Sequence, residues 1–240
     1  IDETAVEVDC AIKLLKQTKI DETSCSCLKL SKSHHCASFD YFNPGIPKPS
    51  IYNLPRIHKN KILLFSSERR FNLNDIDENE VSGNQLSVLQ AAKTNSPVIN
   101  ESVLENFYKQ VKYPLYFLDY ETFSSAIPLL DGVKPYTHIP FQFSLHIIPS
   151  EGSEELHHFE YLADGADLPI GMIKEMQNCI GSTGSVVSWH KSFENMCNKE
   201  MAILYPDKLY FLNDISLRMI DLEDLFKGGY VDIAFGGSTS

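Results

Sequence analysis

The run YPLYFLDYETF, residues 113–123, is apolar at consecutive positions up to Leu118 and then brings in two acids. In an extended chain this places Leu115, Phe117, Asp119 and Glu121 on one side and Tyr116, Leu118 and Tyr120 on the other. A strand that is apolar on both sides belongs in the middle of a sheet. Carboxylates at its end are costly to desolvate unless a partner or a cation compensates them. Downstream, the pattern predicts strands over 141–148, 156–163 and 185–189, with the turn PSEGSE making the first two an antiparallel hairpin. PIGMIKEMQNCI and FENMCNKEMAILY have helical spacing, LYFLN reads as a further strand, and DLEDLF opens another helix. The order is that of an α/β mixed sheet with an antiparallel start and flanking helices.

Upstream of this run the pattern is broken. Residues 4–18 have an amphipathic helical period, and KILLFSS (61–67) reads as a short strand. QLSVLQAAKT and ESVLENFYKQV read as two helices, the second capped by Asn100. Four prolines between Asn43 and Pro55 exclude a long regular element there. The expected boundary lies near 110–114. It gives a smaller, mostly helical and irregular N-terminal segment, 1–112, and an α/β domain, 113–240.

Composition narrows the picture modestly. The chain has 240 residues, 43% of them hydrophobic, as in an ordinary globular protein. No run approaches the ~18 apolar residues of a membrane span, so no membrane partner is expected. A formal charge of -11 argues against a broad nucleic-acid surface, and it suits a site that collects divalent cations. Six unevenly spread cysteines point to a reduced, cytoplasmic setting rather than a disulfide scaffold. The chain opens at Ile1 rather than Met, which reads as a fragment of something longer.

Asp119-x-Glu121 puts two carboxylates on one face at the end of the first strand of the α/β domain, about 7 Å apart along the chain. That spacing suits oxygen ligation of Mg²⁺ or Mn²⁺, although an isolated D-x-E is often a solvated strand end. Glu194 opens the helix after the buried strand SVVSW and can point into the same cleft. Taken alone, it reads as a partner of the helix dipole.

The passages LDYETFSSAIP, DGVKPYTHIPFQFSLH and SWHKSFE resemble an uncharacterised bacterial domain family with a ribonuclease H-like core. That family is itself similar to the DEDD 3′–5′ exonucleases and commonly follows a RecB-like nuclease module. The resemblance covers roughly residues 36–240 and is most specific from Phe117 to His146. It implies that Asp119, Glu121 and Glu194 are catalytic metal ligands, with Glu194 in a Phe-Glu pair where the exonucleases usually have Phe-Asp. It places His190, where Asn is more usual, among substrate-binding residues with Gln142, Lys134 and Tyr136. Lys134 suits a phosphate and Tyr136 a base. The DEDD pattern needs a fourth acid on a later helix. Asp214, Asp221 and Asp224 all lack the expected Tyr-x-x-x-Asp or His-x-x-x-x-Asp context, so that acid is expected beyond Ser240.

Cys25, Cys27 and Cys36, beside His34 and His35, resemble the C-terminal tail of an iron–sulfur RecB-like nuclease. The residues leave two readings open, a remnant of an iron–sulfur or zinc site and simple reduced cysteines. Other residues carry blander expectations. Of His157 and His158 one should face solvent, His138 and His146 flank the second strand, and Trp189 should sit in the core. The expected function is a divalent-metal-dependent nuclease acting on DNA or RNA, joined in one chain to a RecB-like module. The alternative is a non-catalytic nucleic-acid-binding or scaffolding module that kept the fold and lost the chemistry.

Overall fold

The computed structural model describes residues 2–19, 21, 24–165 and 168–236. The chain folds as two compact units. One comprises the residues up to Ser96 together with Asp232 to Gly236, and the other Pro97–Val231.

The first unit contains α1 (Asp2–Leu15), α2 (Phe39–Phe42), α3 (Lys59–Ser67) and α4 (Asn84–Thr94), joined by 3₁₀ turns. The helix expected over 4–18 forms as α1, but Val6, Val8, Ile12, Leu14 and Leu15 are exposed. KILLFSS is helical, not a strand. Ile62 and Phe65, three residues apart, are its buried positions, Leu64 is exposed, and the His58 side chain caps its start. A short apolar run fits either period, and here burial at i, i+3 decides for the helix. Arg70 fastens the segment after α3 with a two-pronged ion pair to Glu80, at 2.8 and 2.9 Å. That pair and a backbone hydrogen bond from Asp77 hold the Glu80 carboxyl down at about 2.

The second unit runs β1 (Val98–Ile99), α5 (Glu101–Tyr108), β2 (Leu115–Phe123), β3 (Ile139–Ile148), β4 (His157–Leu162), α6 (Ile170–Cys179), β5 (Ser185–Ser188), α7 (Lys191–Leu204), α8 (Leu209–Arg218), β6 (Met219–Asp221), α9 (Glu223–Gly228) and β7 (Tyr230–Val231). Its five-stranded sheet has the order β4-β3-β2-β5-β6. β3 is antiparallel to both of its neighbours, β2 and β4, and β5 and β6 run parallel to β2. β1 and β7 form a separate antiparallel pair. The fold is mixed α/β with helices flanking a central β2, as the apolar pattern predicts.

LYFLN is the start of α8 rather than a strand. Leu212 and Ile215 are buried at helical spacing, while Tyr210 faces solvent. The strand that does form nearby is β6, three buried residues directly after Arg218. Trp189 is a further correction. It lies just past the end of β5, 41% exposed, with its ring against Phe226. His157 and His158 are both exposed on edge strand β4.

Tyr116, Leu118 and Tyr120 of β2, with Phe143 and Leu145 of β3, pack on Met172 and Met176 of α6, Met201 of α7 and Ile215 of α8. On the other face, Leu115, Val187 and Ile220 are covered by Phe107 of α5, with Phe117 and Leu225 beside them. That cover holds for the first part of β2, and Asp119 and Glu121 are exposed further along the same face. Gly184 sets the start of β5. Its φ is 92°, and a Cβ there would lie 2.1 Å from the carbonyl oxygen of Pro114, so only glycine fits. Arg218 clamps this turn, donating to the carbonyls of Gly181 (2.8 Å), Thr183 (2.9 Å) and Gly184 (3.0 Å) while pairing with Asp214.

Candidate functional site

β2, β5 and β6 are neighbours and run the same way, so their C-terminal ends open on one edge of the sheet. In sheets of this kind ligands bind outside the carboxyl ends of parallel strands. The acids gather there. Asp119 is the middle residue of β2, two past Phe117 where the pairing with β5 stops, Asp221 ends β6 opposite Ser188, and Glu194 stands in the first turn of α7 after β5.

Glu194 is 3% exposed, and its Oε2 has no hydrogen-bond partner among the described residues. Burial pushes its carboxyl up to about 7, and the charges of Asp119 and Asp221 add to the rise. A backbone hydrogen bond and His190 act the other way. Glu194 therefore senses both of the other carboxylates, and a cation beside it would relieve both the burial cost and the repulsion.

Asp221 already has a structural task. Its carboxylate accepts from the backbone N–H of His190 (2.9 Å), Lys191 (3.2 Å) and Glu223 (3.1 Å). It thus caps the turn that launches α7, where His190 has a left-handed backbone with φ 66°. Glu223 holds the same turn from the side chain. Its Oε2 lies 3.0 Å from His190 Nδ1 and 2.7 Å from Lys227 Nζ. Farther along α7, Asn198 accepts from the Tyr120 hydroxyl at 2.8 Å and donates to Ser216 Oγ at 3.1 Å. This buried bridge joins β2, α7 and α8, and so sets the elements that carry Asp119 and Glu194.

The other expected residues are dispersed. Glu121 is exposed two residues beyond Asp119, and Gln142 of β3 is paired with it in register. Lys134 and Tyr136 are exposed in the loop between β2 and β3, Tyr136 with φ 62°. His138 bonds Thr122 at 3.0 Å and meets the Phe193 ring edge-on, linking the end of β2 to α7. His146 and His158 form a stacked cross-strand pair with centroids 4.3 Å apart. Asp214 is taken up by Arg218, and Asp224 lies 3.5 Å from Lys227.

In the first unit, residues 24–36 fold into two 3₁₀ turns. The Tyr52 hydroxyl donates to Leu28 O at 2.7 Å, and His35 stacks on Phe39 at 3.7 Å. Cys25, Cys27 and Cys36 are free thiols. Among the described residues, no group of three or more His, Cys, Asp and Glu side chains is arranged to hold a metal ion, in this loop or at the acidic edge of the sheet.

Sequence reasoning missed Asp221, Glu223, Tyr120 and Asn198 as organisers of the site. The available signal was Asp221 itself, an acid closing the short apolar run MI before a helix. Residues 116–240, just over half of the chain, match the model of a domain of unknown function, DUF2779. The chain belongs to that family. No curated protein and no solved structure matches it. The DUF2779 segment takes in β2 to β7 with the helices between them, and with them every acid of the sheet edge.

Proposed function

We propose that the DUF2779 domain is a divalent-metal-dependent nuclease of ribonuclease H-like fold, 3′–5′ exonuclease-like, hydrolysing phosphodiester bonds of DNA or RNA. The observation that carries this reading is Glu194, a buried carboxylate with an unbonded oxygen, next to the charges of Asp119 and Asp221. Structural acids are usually paired through both oxygens, and this one leaves Oε2 unbonded while two like charges act on it. The sheet supports the same reading, with antiparallel strands first and parallel strands joined through helices after them.

Asp119, Glu121 and Glu194 would hold Mg²⁺ or Mn²⁺, which lowers the pKa of an attacking water and stabilises the leaving oxygen. The chain's own contribution is to bring these acids to one edge, keep Glu194 dry, and offer Gln142, His190, Lys134 and Tyr136 to the substrate. The cysteine loop is read as the tail of a RecB-like module in the same natural chain, either a remnant of an iron–sulfur or zinc site or simple reduced cysteines.

One observation favours the other reading, a non-catalytic nucleic-acid-binding or scaffolding module. The described acids do not close into a set of three around one point. Hydrolysis decides between the two. An end-labelled oligonucleotide should shorten stepwise with Mn²⁺, and Asp119→Asn should abolish the ladder. Binding of the same oligonucleotide with no cleavage under any divalent cation would establish the module instead.

A further inference from the structure

We propose that His190 is the proton-accepting residue of this cleft, and that Glu223 is the positioning residue that orients it. The inference rests on the nuclease reading and adds a role that reading leaves open.

His190 occupies the N-cap position of the 14-residue helix α7, yet its side chain makes no capping hydrogen bond. Asp221 does that work instead, receiving the backbone N–H groups of His190 and Lys191. The imidazole is thereby free of the structural task its position would normally assign. Its backbone is fixed in the left-handed region, where a residue other than glycine persists only if its surroundings hold it there.

The ring is fixed as well. Glu223 is buried to 8% exposure, and its Oε2 lies 2.7 Å from Lys227 Nζ and 3.0 Å from His190 Nδ1, a contact at which a carboxylate oxygen can only accept. With the proton on Nδ1, the neutral ring carries its lone pair on Nε2. The side chain is 60% exposed, and it acts electrostatically on Glu194. A base oriented by a carboxylate beside the reacting groups is the arrangement proton transfer needs. As water attacks phosphorus and the bond to the leaving oxygen breaks, the water proton passes to Nε2. The imidazolium is then stabilised by Glu223, the leaving oxygen takes a proton from solvent, and His190 later returns its own.

Long-range ¹H–¹⁵N NMR of the imidazole in the full chain should show the neutral ring protonated on Nδ1, with Glu223→Gln shifting it toward the Nε2–H form. In hydrolysis, His190→Gly suits the left-handed backbone and should lose at least about a hundredfold in kcat, with partial recovery in free imidazole. Glu223→Gln should lower kcat about tenfold with KM unchanged. A ring protonated on Nε2 in the wild type overturns the role and leaves the nuclease reading standing. So does an undiminished rate in His190→Gly, or full activity in His190→Asn, which tolerates the backbone but accepts no proton. Absence of Mn²⁺-dependent hydrolysis in the wild type overturns the nuclease reading and this role with it.

Discussion

Glu194 binds its proton at about 7 in the folded chain, against an ordinary value of 4.5. Between those values the native state holds more protons than the unfolded state, so stability falls as pH rises through this window. The penalty is fully expressed above pH 7 and absent below pH 4.5, and the shift corresponds to at most about 3 kcal/mol. Glu194→Gln should therefore stabilise the metal-free chain at pH 8 and flatten its melting temperature between pH 5 and 8, as read by thermal denaturation in EDTA. A melting temperature that falls in the variant would show that the buried carboxylate already has a partner. Tyr120→Phe tests the bridge behind the site. It strands the Asn198 carbonyl and should cost about 1–3 kcal/mol in urea denaturation. Asp119 and Glu194 stood out in the sequence as candidates, because an acid following an apolar run and an acid opening a helix break the local pattern. Asp221 and Glu223 were not. Their partners lie some 30 positions away, and only the pairing of β6 with β5 brings them together.

The elements read best from sequence were those whose two faces both meet apolar layers. β2 is apolar on both faces from Leu115 to Leu118, and each face finds its own cluster. LYFLN and KILLFSS misled because four or five consecutive apolar residues satisfy either period. Their helical burial shows only when the next turn is included, as Ile215 does for α8. β6 was invisible as a three-residue strand with no room for a period. The turn before β5 makes an element-scale prediction. Gly184→Ala must find room for a Cβ 2.1 Å from the Pro114 carbonyl oxygen and adopt φ 92°. It should cost about 2–4 kcal/mol, read from the denaturation midpoint. A cost under ~1 kcal/mol would mean that this turn relaxes freely.

Across the molecule, two carboxylates pull stability in opposite directions. Glu80, held down at about 2 chiefly by Arg70, stabilises above its unfolded value of 4.5, and that contribution is lost as pH falls toward 2. Glu194 destabilises as pH rises from 4.5 toward 7. By themselves these two groups favour a stability maximum of the metal-free chain near pH 5, at the acid end of the range usual for globular proteins. The charge of -11 adds self-repulsion in the same direction as pH rises. Divalent cations should move the maximum upward. Among the described residues no helix is long and apolar enough to cross a membrane.

Whether Asp119 and Glu194 share one cation is tested most directly by calorimetric titration of Mn²⁺ at pH 7 in two buffers of different ionisation enthalpy. The wild type should bind with net release of protons, because burial raises the Glu194 carboxyl to about 7 and a cation would displace its proton. Asp119→Asn and Glu194→Gln should each abolish binding. Mn²⁺ binding that survives both substitutions, or binding with no proton released, would contradict a metal site at this edge of the sheet.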